Sequence, residues 1–211
     1  MKGLGTRGSG RFTRGAVGFW ILLAASVIVL PPTVVAGLPT DQVRATVDRV
    51  LAILQDPKLK AADKLKERRE LLSKVISARF DFTEMGKRSL GAEWRRLTSS
   101  QQQEFVELFT DLLRDAYVAD IESYKGEKVI YTRESEEPEF ATVQTILKSP
   151  DGTEYSIEYR LHLVGKEWQA YDVVIENVSI VNNYRSQFAR VINRSSFDGL
   201  IKAMREKTLQ K

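Results

Sequence analysis

Two groups of residues in this chain have types suited to acid–base chemistry. They are the single histidine, His162, and the carboxylates of Glu134, Glu136, Glu137 and Glu139. A serine triad would have to use His162 as its base. That residue falls on the polar side of an alternating stretch with Ser156, Glu158 and Arg160, so a solvent-exposed surface histidine is expected. Paired carboxylates divide into acid and base only where an apolar pocket separates their pKa values. The glutamates instead surround Pro138 in a strongly polar stretch, which predicts a solvated loop. The chain has no cysteine, which excludes disulfides, thiolate metal sites and cysteine nucleophiles. With one histidine, few transition-metal ligands remain. No nucleophile elbow, phosphate-binding Gly-rich loop, dinucleotide fingerprint or calcium loop occurs beyond residue 37. The reading is a protein without catalytic residues, metal or cofactor. For the alternative, an enzyme acting on a small apolar substrate, the pocket residues to consider are Asp172 and Tyr159.

Charge gives no partner either, once the N-terminus is set apart. Lys2, Arg7, Arg11 and Arg14 precede an uncharged run from Ala16 to Leu30, and Val34-Val35-Ala36 fits a signal-peptidase site. The 15-residue run is shorter than the roughly 20 residues that span a bilayer core. Residues 1–36 therefore read as a secretory signal cleaved near Ala36, and 37–211 as one exported domain. Removing four basic residues from 32 leaves 28, which equals the 28 acids. A neutral domain offers no general attraction to nucleic acid.

The elements around these residues follow from periodicity. Helices are predicted from Leu38 to Pro57 with Asp41 as cap, from Ala61 to Arg79, and from Thr83 to Leu90 with Gly91 closing the last. A long helix follows, with Ser99 and Gln102 at capping-box spacing and Phe105, Phe109 and Leu112 on its apolar arc. After Gly126 the period changes to two. Strands are predicted over 128–135, 140–148, 154–164 and 167–176, joined by Pro150-Asp151-Gly152 and Gly165-Lys166 turns. Helices over 179–193 and 197–207 end the chain. The fold class is α+β: a curved, mostly antiparallel sheet of four to five strands wrapped by helices on its apolar face.

Several stretches also resemble a known family. Phe80-Asp81-Phe82 with Met85, Leu90-Gly91-Ala92-Glu93-Trp94, and Trp168-Gln169-Ala170-Tyr171-Asp172-Val173 are three of them. Glu176-Asn177-Val178-Ser179 and Asn183-Tyr184-Arg185-Ser186-Gln187-Phe188 complete the pattern. In order and spacing these blocks resemble the periplasmic phospholipid-binding proteins of the MlaC, or toluene-tolerance, family. Asn177 stands where many members have glycine, a left-handed position that asparagine tolerates. The resemblance implies a nuclear-transport-factor-2-like cone with a deep apolar pocket for acyl chains. It also implies a periplasmic carrier that moves phospholipid, or a hopanoid-type lipid, between an outer-membrane lipoprotein complex and an inner-membrane ABC transporter with its MCE-type component, maintaining outer-membrane lipid asymmetry. On alternation, the tail-lining candidates are Val143, Leu147, Tyr155, Ile157, Tyr159, Leu161, Tyr171 and Val173 from the strands. Phe105, Phe109 and Leu112 would face them from the long helix. Arg185 is the candidate for the pocket mouth or partner docking.

Overall fold

The computed structural model describes residues 38–209, and the expected signal segment lies outside them. Apolar side chains at helical spacing form α1 (Pro39–Gln55), α2 (Leu65–Ser77), α3 (Phe82–Leu90) and α4 (Ser99–Glu122). Period-two alternation then forms β1 (Lys128–Glu136), β2 (Phe140–Lys148), β3 (Glu154–Val164) and β4 (Glu167–Ile175). A two-residue β5 (Val178–Ser179), too short to show alternation, leads into α5 (Ile180–Arg194) and α6 (Phe197–Arg205). The strands lie in chain order and all pair antiparallel, so the sheet is a meander. Among the described residues no helix is long and apolar enough to cross a membrane.

Two helix caps differ from expectation. Asp41 does not cap α1. Leu38 occupies that position without a side-chain bond, and Pro39 follows it. The cap is supplied from β1, where the Glu134 carboxylate accepts from the Thr40 amide at 2.7 Å. Glu134 is thereby removed from the expected solvated loop, since β1 extends through Glu136. Asp41 still lies in the first turn, where the helix dipole favours negative charge. The capping box of α4 uses Thr98 and Gln101, one residue earlier than the Ser99–Gln102 pair. Between β4 and β5, Glu176 and Asn177 have φ of 48° and 65°, so Asn177 occupies the left-handed conformation expected of it.

The apolar residues divide into two cores. In the helical core, Phe105 and Phe109 of α4 pack with Tyr184 and Phe188 of α5, beside Met85 and Leu200. Phe105–Phe188 and Phe109–Tyr184 meet edge to face, with centroids 5.5 and 5.4 Å apart. The sheet core joins Val43 of α1 to Ala141, Val143, Leu161, Trp168 and Ala170. Phe80 packs against both cores. Its segment is stitched to the edge of β4, where the Ala170 amide donates to the Arg79 carbonyl at 2.7 Å and the Asp81 amide donates to the Ala170 carbonyl at 2.9 Å. The Arg79 side chain reinforces this joint by donating to Gln42 and Thr46 of α1 and to the Trp168 carbonyl.

Phe105 is fully buried within the aromatic cluster. Phe105→Ala should lower unfolding free energy by about 3–5 kcal/mol. Val164→Ala, at a side chain 43% exposed, should change it by less than about 0.5 kcal/mol. Urea titration of the two variants checks both values.

Candidate functional site

The sheet presents two chemically distinct faces. On one face, Val143 lies opposite Tyr159, which in turn opposes Val173; Thr145 opposes Ile157, and Leu147 opposes Tyr155. With Leu161, these residues share the face covered in part by α1, as the alternation predicts. Their burial is graded along the strands. Val143 and Leu161 are fully buried beneath α1, and Val173 is also buried. Leu147, Ile157 and Tyr159 are only half-buried, and Tyr155 is 43% exposed. The apolar face is thus closed at one end and accessible at the other. Burial pushes the phenols of Tyr131 and Tyr159 up to about 12, so both are neutral across the physiological range.

Polar ties hold the helix ends together at one side of the molecule. Arg69 and Arg68 of α2 donate to Glu122 at the end of α4 at 2.7 and 3.1 Å, and Gln55 at the end of α1 donates to the Tyr124 hydroxyl at 3.0 Å. A cleft of about 590 Å³ opens between α2 and α4, with Leu65, Arg69, Arg114 and Val118 in its walls. Two basic residues of α2, Arg68 and Arg69, therefore have a structural task. Arg69, with Arg68, holds the Glu122 carboxyl below the ordinary range against the opposing effect of burial.

The other face is polar and is shaped by a bulge. Leu161 pairs with Ala170 and Arg160 with Asp172, leaving Tyr171 as the extra residue of β4. Simple alternation puts Tyr171 beside Val173. The bulge instead turns it to the opposite face, where its ring meets Phe140 and His162 edge on and lies 4.0 Å beneath the Arg88 guanidinium. His162 is not the exposed histidine expected: it is half-buried, with Nε2 3.1 Å from Asp81 Oδ2. Asp81 also caps α3, accepting from the Glu84 amide at 2.9 Å.

Asp172 lies on this polar face, 4% exposed and fully engaged. It accepts from the Ser179 hydroxyl at 2.7 Å, from the Val181 amide at 3.1 Å and from Arg160 at 3.4 Å, thereby fastening the start of α5. Asp172 and Tyr159 therefore lie on opposite faces of the sheet, and no single pocket acid–base pair can use both.

The helix candidates also sit elsewhere than expected. Phe105 and Phe109 do not face the strands. They point into the helical core against α5, and Leu112 packs beside them. Arg185 is exposed on α5, with its guanidinium against Gly91; a Cβ on that glycine would come within 3.2 Å of it. Arg185 lines a second cleft, of about 400 Å³, with Tyr171, Arg160 and Trp94 on the polar side of the sheet. Sequence reasoning passed over Trp94, Arg88, Arg95 and Arg160. The bulge adds Tyr171 to them, and a one-residue insertion in pairing leaves no mark on composition.

A meander sheet wrapped by helices, with one apolar face held partly open, defines an α+β domain. The sequence profile described as MlaC protein matches residues 44–206, and this chain belongs to that family. Toluene tolerance protein ttg2D of Pseudomonas putida is 25% identical over 183 residues, covering 86% of this chain and 84% of that protein. The intermembrane phospholipid transport system binding protein MlaC of Haemophilus influenzae is 22% identical over 130 residues, 59% of this chain and 61% of that protein. Among solved structures, the phospholipid-binding protein from Ralstonia solanacearum, in complex with a phospholipid, superimposes with a TM-score of 0.72 at 27% identity. The match covers 79% of this chain and 94% of that one.

The tie at Glu122 gives a pH signature. A carboxyl whose folded pKa is depressed adds stability above its unfolded value, and that stability is lost as pH falls through the folded value. Glu122→Gln should cost on the order of 1 kcal/mol at neutral pH. The difference from the parent should shrink below about pH 4. Urea unfolding of parent and variant along a pH series measures it.

Proposed function

We propose that this protein is a periplasmic phospholipid carrier. It receives lipid from one membrane's machinery and delivers it to the other's, between an outer-membrane lipoprotein complex and an inner-membrane ABC transporter. The observation that carries the reading is the phospholipid complex of the Ralstonia protein, whose fold this chain shares over nearly all of that protein's length. The names of the curated relatives agree with it.

The physical demand on such a carrier is large. Two acyl chains of about 30 methylenes together cost on the order of 25 kcal/mol to leave in water, at about 0.8 kcal/mol each. Only apolar walls can offset that. The half-buried row of Leu147, Ile157 and Tyr159, continuous with the closed end at Val143, Leu161 and Val173, supplies one such wall. The neutral phenol of Tyr159 adds no charge to it. Binding lipid there removes apolar side-chain surface from water together with the tails, and it requires no catalytic group. Carriage between membranes further requires release from the N-terminal segment by cleavage near Ala36. A domain of balanced charge then leaves direction of transfer to its partners.

Protein purified without added lipid should yield phospholipid on organic extraction and mass spectrometry. Ile157→Arg, which places a charge on the apolar face at a half-buried position, should cut the lipid-to-protein ratio by about tenfold while the far-ultraviolet circular dichroism stays unchanged. A folded parent protein that repeatedly yields no lipid and binds none when loaded would overturn the proposal.

A further inference from the structure

The cleft on the polar face is separate from the proposed lipid surface, because the sheet itself lies between them. Its floor and walls include Tyr171 and Trp94, and its rim is cationic. The cations there are unequally neutralised. Lys87 and Arg88 share the Glu84 carboxylate at 2.9 Å each, and Arg160 is held by Glu158 at 2.9 Å and Asp172 at 3.4 Å. Arg95 and Arg185 line the same cleft and have no carboxylate partner among the described residues. Gly91 makes room for one of them. Its φ of 59° is a conformation glycine adopts without strain, and its missing side chain leaves space for the Arg185 guanidinium.

We propose that this cleft docks an acidic peptide segment of a partner protein, with Arg95 and Arg185 pairing to its carboxylates and Trp94 and Tyr171 receiving an adjoining apolar side chain. Arg guanidinium groups form charge-assisted, often bidentate bonds with carboxylates. Aromatic and Arg side chains are also the usual anchors of protein interfaces. A volume of about 400 Å³ accommodates one or two side chains, which excludes a nucleic-acid duplex. The concave shape fits an inserted segment better than a flat membrane surface. The head group of a lipid whose tails lie on the opposite face of the sheet cannot reach it. This inference uses none of the apolar-face residues and rests on the lipid reading only in excluding a head group.

The test is binding of a fluorescent peptide of alternating Glu and Phe to the intact protein by anisotropy. A peptide of alternating Lys and Phe, inorganic phosphate and phosphatidylglycerol vesicles serve as comparison probes. The Glu–Phe peptide should bind with an affinity that falls as salt rises, and the Lys–Phe peptide should not bind. The double variant R95E/R185E should weaken peptide binding about ten- to hundredfold. The single variant Arg185→Gln should weaken it by an intermediate factor, which keeps the result readable if the double variant is unstable. Arg190→Glu, an exposed charge change on α5 outside the cleft, should alter binding by less than about twofold. Extracted lipid should be unchanged in all three variants, which separates this inference from the carrier reading. Three results would each refute peptide docking here: no Glu–Phe binding by the parent, equal loss in the Arg190→Glu variant, or loss of phosphate or vesicle binding with peptide binding intact.

Discussion

The structure depends on how the open edge of β4 is satisfied. An edge strand carries unpaired backbone groups, which are costly when buried. β5 is two residues long and covers only the end of β4 at Val174 and Ile175. Farther along, the segment around Phe80 takes over by exchanging two backbone hydrogen bonds with Ala170. Because that segment leads directly into α3, pairing the edge also fixes where the helical layer begins. The two cores meet at Phe80, and Arg79 fastens the same point to α1.

That joint explains why the two sheet faces differ. The bulge falls beside the residue that bonds to the Phe80 segment, and it transfers Tyr171 to the polar face while returning Val173 to the apolar one. With α3 and α5 anchored near β4, the helical core is filled by its own aromatic rings. The sheet's apolar face is left to α1 at one end. The half-buried residues at the other end result from this division of labour: α4 spends its phenylalanines on α5, so they are not available to close the strands. An apolar surface left partly open in this way suits a carrier, which must both enclose its cargo and release it.

Much of this was legible in the sequence. The helices and four of the strands follow from apolar spacing and turn residues, because both record local geometry. Asn177 shows the same, since its left-handed φ follows from the turn it occupies. The errors arise where a distant residue intervenes. Asp41 has the chemistry of a cap, but Glu134, 94 positions beyond Thr40, takes that task by accepting from the Thr40 amide. His162 shows alternation that points to solvent, but α3 brings Asp81 over it. Tyr171 shows the limit of period two, since a single unpaired residue changes its face. Phe105 and Phe109 lie on an apolar arc whose direction periodicity cannot give. The arc shows that the helix is buried, and only the fold shows against what.

The central claim is that acyl chains lie on the apolar face of the sheet and not on the polar one. Photo-crosslinking in living cells tests it most directly, with a benzophenone amino acid placed at Ile157 on one face or at His162 on the neighbouring polar face of the same strand. The account predicts a phospholipid adduct, seen as added mass on the intact protein, from position 157 and none from position 162. An adduct from 162 alone, or from neither position in protein that still carries extractable lipid, would contradict it.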